Sequence, residues 1–308
     1  MNKKAIFYTA AAIALSVMII FTYSAFQSAK LNDRMDVIQT RIETVNFFID
    51  DVEKDLEKGA YIAGFRTLLA FNEHIASNGT FIDDVDLRFK EVFLNGTLND
   101  EPLGIMYGST FTDWANKIKA ESGKVGVSFD FEIEDVELNH TDPWNVDVKI
   151  DINLEVRDNK NTSYWVREDS VSTRISIIDF EDPLYVVNSN GRVTNTVRPS
   201  NITQFVQNGQ VQNLLAHMNS SYYVPHPDAP SYLMRLEGNL GNSTYGIESL
   251  ANLEKFQAQG IALKDRSIVD YVYFGSASTT NFHINNTPSW FKIDSSHLDD
   301  YQVTNITT

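Results

Sequence analysis

The strongest constraint on this chain is an N-terminal segment without charged residues, long enough to cross a membrane. Lys3 and Lys4 precede Ala5–Phe26, a run of 22 residues that contains no Asp, Glu, Lys or Arg. A helix of that length rises about 33 Å, and the hydrocarbon core of a bilayer is about 30 Å thick. A cleaved secretory signal usually has an apolar region of only about 7–15 residues, followed by a small-x-small site. Tyr23 and Gln27 stand where such a site needs small residues, so we expect a retained anchor.

The flanks of the anchor and the sequons beyond it predict its orientation. Lys3 and Lys4 favour a cytoplasmic N-terminus, whereas Lys30 and Arg34 beyond the anchor weaken that bias. The N-glycosylation acceptor N-x-[ST] occurs nine times, always after the anchor. We therefore expect one span, with residues 1–4 in the cytoplasm and a glycosylated, extracellular C-terminal part at the cell membrane. The sequons begin at Asn78, Asn95, Asn139, Asn161, Asn201, Asn219, Asn242, Asn285 and Asn305.

Charge and cysteine content exclude several classes of function. The chain has 41 acidic and 25 basic residues and a formal net charge of -16. Nucleic-acid binding needs a basic surface that displaces counterions, so we expect no nucleic-acid partner. The absence of cysteine excludes disulfides, thiolate catalysis and cysteine-ligated metal sites. An exported domain of this composition has to be stable without disulfide cross-links.

Residues 27–58 carry a heptad repeat and predict an amphipathic stalk helix. Apolar residues recur at alternating spacings of four and three, and charged residues occupy the outer positions. This a/d pattern is typical of a helix that packs on another helix. It predicts either association between copies, in a homo-oligomer or filament, or packing on the chain's own head, and the sequence leaves both open. We call the repeat the seam; it consists of Leu31, Met35, Ile38, Ile42, Val45, Ile49, Val52 and Leu56.

Residues 59–308 predict an α+β head, with a possible sub-boundary near residues 180–200. The helical pattern continues past Gly59, and short helices are expected over 81–94 and 111–120. The period then changes to two, because apolar and polar residues alternate in three long runs. Such alternation is typical of antiparallel strands with one solvated face, so we expect a β-meander. The three runs are 125–133, 144–156 and 171–177.

The sequence of the remaining head residues predicts short helices, strands and loops. The patterns predict helices over 204–218 and 248–260, and a short helix over 295–303. They predict strands over 266–274 and 289–294, and a Pro-braced loop over 221–231 that leads into a strand.

Catalytic and metal-binding motifs are absent from the sequence. The six histidines are scattered without H-x-x-x-H spacing, and no P-loop, G-x-S-x-G or G-x-G-x-x-G occurs. We therefore expect no enzyme activity and name no catalytic residue, cofactor or metal ligand. The acidic pairs Asp83/Asp84, Asp135/Glu137 and Asp299/Asp300 carry oxygens that suit calcium, but they lack EF-hand spacing.

The most site-like segment is the Pro-braced loop. Tyr222, Tyr223 and His226 would suit a sugar or a peptide if they were exposed. The alternative is that the loop packs its tyrosines on the core of the head.

The N-terminus resembles that of archaeal type IV pilins and related proteins with class III signal peptides. Lys3 and Lys4, followed by Ala5 and Ile6, are similar to the short basic leader of that family. The resemblance implies cleavage between Ala5 and Ile6, and a hydrophobic helix that continues as an amphipathic one. At the fifth mature position, where bacterial pilins usually carry glutamate, this chain has Ala10. The segments FEDPLYVVNSNGRVTNT and SIVDYVYF resemble uncharacterised membrane-anchored surface proteins of small-genome archaea.

The sequence thus favours an exported, membrane-anchored protein with a structural, assembly or adhesive role, such as a minor pilin or pseudopilin. Two other readings are open. One is an anchored module that binds glycans or peptides through the 222–230 loop. The other is an anchored hydrolase or transferase, which would need acidic, basic or metal-binding groups that converge in the head.

Overall fold

The computed structural model describes residues 3–160 and 163–307, with side chains for residues 7, 8 and 11 onward. Its chain forms two compact units that interleave in sequence. We call them the stalk unit and the head unit. The stalk unit comprises Met1–Asp55, Lys117–Glu132 and Asn153–Glu168, and the head unit comprises Leu56–Asn116, Ile133–Ile152 and Asp169–Thr308.

The first element is a single helix, α1, which spans Lys3–Asn78. No proline or glycine precedes Gly59, so nothing before that residue weakens the ladder of backbone hydrogen bonds. The helix ends where Gly79 adopts a φ of 68° and donates its N–H to the carbonyl of Ile75 at 2.8 Å. A left-handed glycine of this kind is a common helix terminator. The structure confirms the long N-terminal helix.

Three long strands follow the predicted alternation. They span Val127–Asp142 (β3), Asn145–Asp158 (β4) and Tyr164–Ser176 (β5). They form one sheet in the order β3-β4-β5. In β4 every second side chain is buried, because successive residues of a strand face opposite sides of a sheet. The buried side chains of that strand include Val146, Val148, Ile150, Ile152, Leu154 and Val156.

The other described elements are short helices and small antiparallel sheets, so the fold class is α+β. The sheets pair β1 with β2, β6 with β7, and β8 with β9. The helices and strands are α2 Val85–Asn95, β1 Thr97–Leu98, β2 Glu101–Pro102, α3 Phe111–Lys124, α4 Pro183–Ser189, α5 Gln212–Asn219, β6 Tyr223–Pro225, α6 Tyr232–Glu237, β7 Ile247–Ser249, α7 Leu253–Ala258, α8 Asp270–Phe274, β8 Asn281–His283 and β9 Lys292–Asp294, with 3-10 turns at Gly104–Met106 and Thr304–Ile306.

Several short elements differ from the sequence prediction. The helix predicted over 204–218 is only α5, because Asn208 and Gly209 both have positive φ and close a tight turn that bridges Gln207 and Gln210. The strand predicted over 266–274 is instead helix α8.

Three further predictions are wrong in whole or in part. The segment after the Pro-braced loop is helix α6 and not a strand, and 295–303 contains turns and no helix. The helix predicted over 248–260 is only α7, because its first residues belong to strand β7. Short apolar runs do not distinguish a buried helix from a buried strand, since both have little solvated face.

A buried ion network organises the head unit. The guanidinium of Arg235, on α6, lies 2.5 Å from Asp182 Oδ2 and 3.0 Å from Asp270 Oδ2, and all three side chains are fully buried. Arg235 Nη2 also donates to the carbonyl of Ile247. Burial raises the pKa of Asp182. Burial alone would lower the pKa of Arg235, but the charges of Asp182 and Asp270 outweigh it and raise that pKa. The arginine therefore joins three separate segments of chain.

Strand β7 lies between this network and a second buried cluster. The carbonyl of Ile247 and the side chain of Ser249 face the network, and Ser249 Oγ donates to Asp270 Oδ2 at 2.7 Å. Because side chains alternate along a strand, Glu248 points to the opposite face. It is fully buried there.

We expect Arg235→Met to destabilise the head by about 3–5 kcal/mol, because it leaves two carboxylates buried without their cation. Arg198→Met is the matched control. It removes an exposed pair with Asp179 at 3.3 Å, and exposed pairs contribute no more than about 1 kcal/mol. Chemical denaturation of the two variants measures the difference, and equal midpoints would show that the buried network does not stabilise the fold.

We expect Gly246→Ala to destabilise the head by about 1–3 kcal/mol or more through overpacking. A Cβ at this position would overlap the backbone carbonyls of His226 and Ala229, which cannot yield as the end of a flexible side chain can. Gly104→Ala is the control, because nothing lies within 4 Å of its added Cβ. The measurement is the thermal midpoint of each variant, and a Gly246→Ala midpoint at or above the wild-type value would contradict the expectation.

Candidate functional sites

The N-terminal part of α1 is apolar and exposed. Its side chains from Ile13 to Phe26 include many large hydrophobic groups, and Ile13, Met18 and Phe21 are each at least 65% exposed. Among the described residues, α1 is the one helix long and apolar enough to cross a membrane, and none of its most apolar stretch is buried. A signal sequence meets the same criterion of length and composition. The structure thus shows a long apolar N-terminal helix.

The expected leader lies at the start of this helix. Lys4, Ala5 and Ile6 belong to α1, and their side chains are outside the described ones. Cleavage between Ala5 and Ile6 stays a prediction.

The seam divides into an exposed half and a largely buried half. Leu31, Met35, Ile38 and Ile42 are exposed. In the second half of the seam, every position except the half-buried Ile49 is buried. The buried members of the second half are Val45, Val52 and Leu56.

Contacts within the stalk unit hold the helix where this change occurs. Arg41 lies 2.5 Å from the buried carboxylate of Asp158 and 3.1 Å from the carbonyl of Gly126. The ring of Phe48 meets that of Phe129 edge to face, with centroids 5.9 Å apart. The chain's own strands therefore contact α1 there, while the first half of the seam stays uncovered.

The sequons lie on accessible surface. Asn161 is outside the described residues, and Asn285 is half-buried. Glycosylation needs an exposed amide nitrogen, so the exposed sites are sterically suitable acceptors. The exposed sites are Asn78, Asn95, Asn139, Asn201, Asn219, Asn242 and Asn305.

The Pro-braced loop buries one of its two tyrosines. Tyr223 is fully buried, and its hydroxyl donates to Asp182 Oδ2 at 2.7 Å. Tyr222 is half-buried, and the side chain of His226 is 14% exposed. The ring of Tyr223 therefore supports the Arg235 network and does not face solvent.

The acidic pairs are engaged with neighbouring groups. Asp83 binds Arg88 at 2.9 Å, and that hydrogen bond holds the pKa of Asp83 below its usual value. Asp84 caps α2 by accepting from the N–H of Leu87. In the second pair, Lys90 binds Asp135 at 2.7 Å and lowers its pKa.

The remaining acidic residues are similarly placed. Glu137 lies 3.5 Å from Lys149. Asp299 accepts from the hydroxyl of Thr304 at 2.5 Å, and Asp300 lies 3.4 Å from His226 Nε2.

The structure brings together three side chains that the sequence keeps far apart, namely His226, Glu248 and His297. One nitrogen or oxygen from each lies within 4.8 Å of the other two. Glu248 Oε2 is 3.3 Å from His297 Nε2 and 3.6 Å from His226 Nδ1. We call this group the trio. Sequence reasoning did not find it, because its members follow no motif spacing and converge only through the fold of the head.

Separate elements position the trio. His226 follows β6, and its N–H donates to the carbonyl of Gly246 at 3.0 Å. Glu248 lies in β7 and pairs with Val224 of β6. His297 follows β9, and its N–H donates to the carbonyl of Asp294 at 3.1 Å.

Two acidic side chains beside His297 raise the pKa of its imidazole. Burial alone would lower the pKa of its imidazole, but hydrogen bonds and charges from Asp294 and Glu248 outweigh burial and raise that pKa to about 10. In the structure as described, the trio can therefore exist as a buried ion pair between an imidazolium and a carboxylate. Nitrogen and carboxylate oxygen donors also match the ligand set of divalent transition metals.

A groove of about 490 Å³ lies elsewhere in the head unit. It is largely apolar, and its lining includes Phe65, Leu69, Ile105, Ile178 and Phe180. Most of its lining residues have no titratable group, so the groove is a shaped apolar surface with few side chains that could take part in a reaction.

Comparison with known proteins gives no relative. No protein-family model, no curated protein and no solved structure matches this chain.

Proposed function

We propose that this protein is a single-pass membrane protein that presents an exported, glycosylated head at the cell surface, with a structural, assembly or adhesive role. The observation that carries the proposal is the exposed apolar stretch of α1, of which none is buried by the chain itself. Exposed apolar area of this extent needs a membrane or a partner to cover it. The stretch also has the length that a bilayer requires.

The orientation rests on charges and sequons. Lys3 and Lys4 precede the span and favour the cytoplasmic side. All nine sequons follow it, and the described ones are exposed apart from Asn285. An outward-facing head accounts for both features.

The exposed half of the seam is the surface for association between copies. Leu31, Met35, Ile38 and Ile42 keep heptad spacing without a cover from their own chain. Parallel helices of neighbouring copies, aligned by the membrane, would bury these residues. This arrangement is also what a pilin-like protein requires, and the leader at Ala5 and Ile6 suits it.

We expect the double variant Leu15→Arg/Ile19→Arg to lose membrane insertion. Each arginine near the centre of a span costs about 2.5–3.5 kcal/mol in insertion free energy. The measurement is the fraction that resists carbonate extraction from membranes. The conservative variant Leu15→Ile/Ile19→Leu is the control and should stay inserted. A wild-type protein released by carbonate would contradict the proposed anchor.

We expect mass spectrometry of the protein from its native host to find glycans on the exposed sequons. Peptides around Asn139 and Asn242 test the head, and half-buried Asn285 should be modified least. The same spectra identify the N-terminus. A start at Ile6 supports pilin-type processing, whereas an intact Met1 supports a plain anchor. Unmodified asparagine at every sequon would contradict the glycosylated head.

A further inference from the structure

We propose that the trio binds one divalent transition-metal ion of the zinc class through His226 Nδ1, Glu248 Oε2 and His297 Nε2. The site goes beyond the anchoring role, since it lies in the head unit and involves none of the anchor, the seam or the sequons.

The spacing of the donor atoms fits a tetrahedral ion. Zinc binds imidazole nitrogen and carboxylate oxygen at about 2.0–2.2 Å, so two donors of a tetrahedron lie about 3.4 Å apart. Glu248 Oε2 is 3.3 Å from His297 Nε2 and 3.6 Å from His226 Nδ1. The two imidazole nitrogens lie within 4.8 Å of each other, so the rings have to approach by no more than about 1.4 Å to hold the ion.

In each proposed histidine ligand, the ring nitrogen that would not bind the metal lies near a carboxylate. Asp294 Oδ1 lies 2.7 Å from His297 Nδ1, so a proton on Nδ1 leaves the lone pair of the imidazole on Nε2, the atom that would bind a metal. Asp300 Oδ2 lies 3.4 Å from the Nε2 of His226, which favours the tautomer with a free Nδ1. Carboxylate partners of this kind accompany metal-binding histidines and orient their rings.

The carboxylate of Glu248 shows the same arrangement. Tyr301 donates its hydroxyl to Glu248 Oε1 at 2.8 Å. Glu248 Oε2 is buried and makes no hydrogen bond of good geometry, although one nitrogen of each imidazole lies within 3.6 Å of it. A cation bound between these three atoms would satisfy the oxygen directly.

The donor types also favour an ion of the zinc class. Glu248, which supplies the single oxygen donor, is fully buried. Two nitrogen donors favour zinc-like metals over calcium and magnesium, which prefer oxygen.

Two further groups lie at the site. The N–H of Asp228 is 3.3 Å from His226 Nδ1, a long hydrogen bond that an ion would replace. The hydroxyl of half-buried Tyr271 is 2.9 Å from His297 Nε2, a second hydrogen bond that an ion would replace. The protein thus supplies three donors and leaves one position for water or another ligand.

The test uses the full-length protein in detergent, stripped with a chelator and then titrated with Zn²⁺. We expect one Zn²⁺ per chain after desalting and a thermal midpoint raised by about 5 °C or more at a hundredfold excess over Kd. Ca²⁺ and Mg²⁺ should not compete. Cobalt in place of zinc should give the intense visible absorption of a tetrahedral site.

Matched variants separate a metal site from an ion pair. We expect His226→Ala to weaken Zn²⁺ binding by at least about 100-fold and Asp294→Asn by about 10–100-fold. The side chain of His226 is only 14% exposed, so the thermal midpoint of the metal-free variant is compared with that of the metal-free wild type before Zn²⁺ is added. His283→Asn, a histidine outside the trio, should bind Zn²⁺ as the wild type does.

Two results would overturn the metal site. One is a wild-type chain that retains no Zn²⁺, and the other is equal affinity in His226→Ala and His283→Asn. Either would leave the trio as an ion pair, and neither would bear on the membrane anchor.

Discussion

The head depends on one constraint, namely that a buried guanidinium needs its carboxylates. Arg235 is fully enclosed with Asp182 and Asp270. An uncompensated charge there would cost several kcal/mol, so the segments that carry the three groups have to meet at one place. Asp182 also caps α4 by accepting from the N–H of Leu184, and the hydroxyl of Tyr223 binds Asp182. The network therefore fixes α4, α6, α8 and strand β6 together.

The position of Glu248 follows from that constraint. The carbonyl of Ile247 and the side chain of Ser249 are both bound to the network. The side chain of Ser249 fixes which face of the strand meets the network, and the neighbouring side chain of Glu248 has to point to the other face. Glu248 is therefore directed at His226 and His297 by the same contacts that neutralise Arg235. This alternation makes the trio a consequence of the fold and not of a local motif.

The sequence predicted those elements whose period extends over many residues. The α1 helix and strand β4 have long, regular patterns, and both are present. It failed for α8 and for 204–211, since a run of five to eight residues offers too few periods and a single Asn-Gly turn changes its structure. The trio was beyond prediction for another reason. Its donors belong to three segments, and only tertiary contacts such as His226 N–H to Gly246 bring them together.

The seam shows a limit of the same kind. Ile38 and Val45 occupy equivalent heptad positions, yet one is 43% exposed and the other fully buried. A heptad repeat predicts that one side of a helix packs against a partner, but it does not identify the partner. Here the chain's own contacts through Arg41 and Phe48 begin where the exposed half ends.

The head has to be stable by unusual means if it is exported. It contains no cysteine, and sheets β6-β7 and β8-β9 have only three paired residues on each strand. Short pairings of this kind are marginal without support. Exported domains usually gain such support from disulfides, and a bound metal serves the same purpose by linking separate segments in the folded state alone. The trio links β6, β7 and the segment after β9, which are the places where a cross-link would stabilise this fold. The buried network, together with the metal site proposed above, would supply the cross-links that this cysteine-free head does not have.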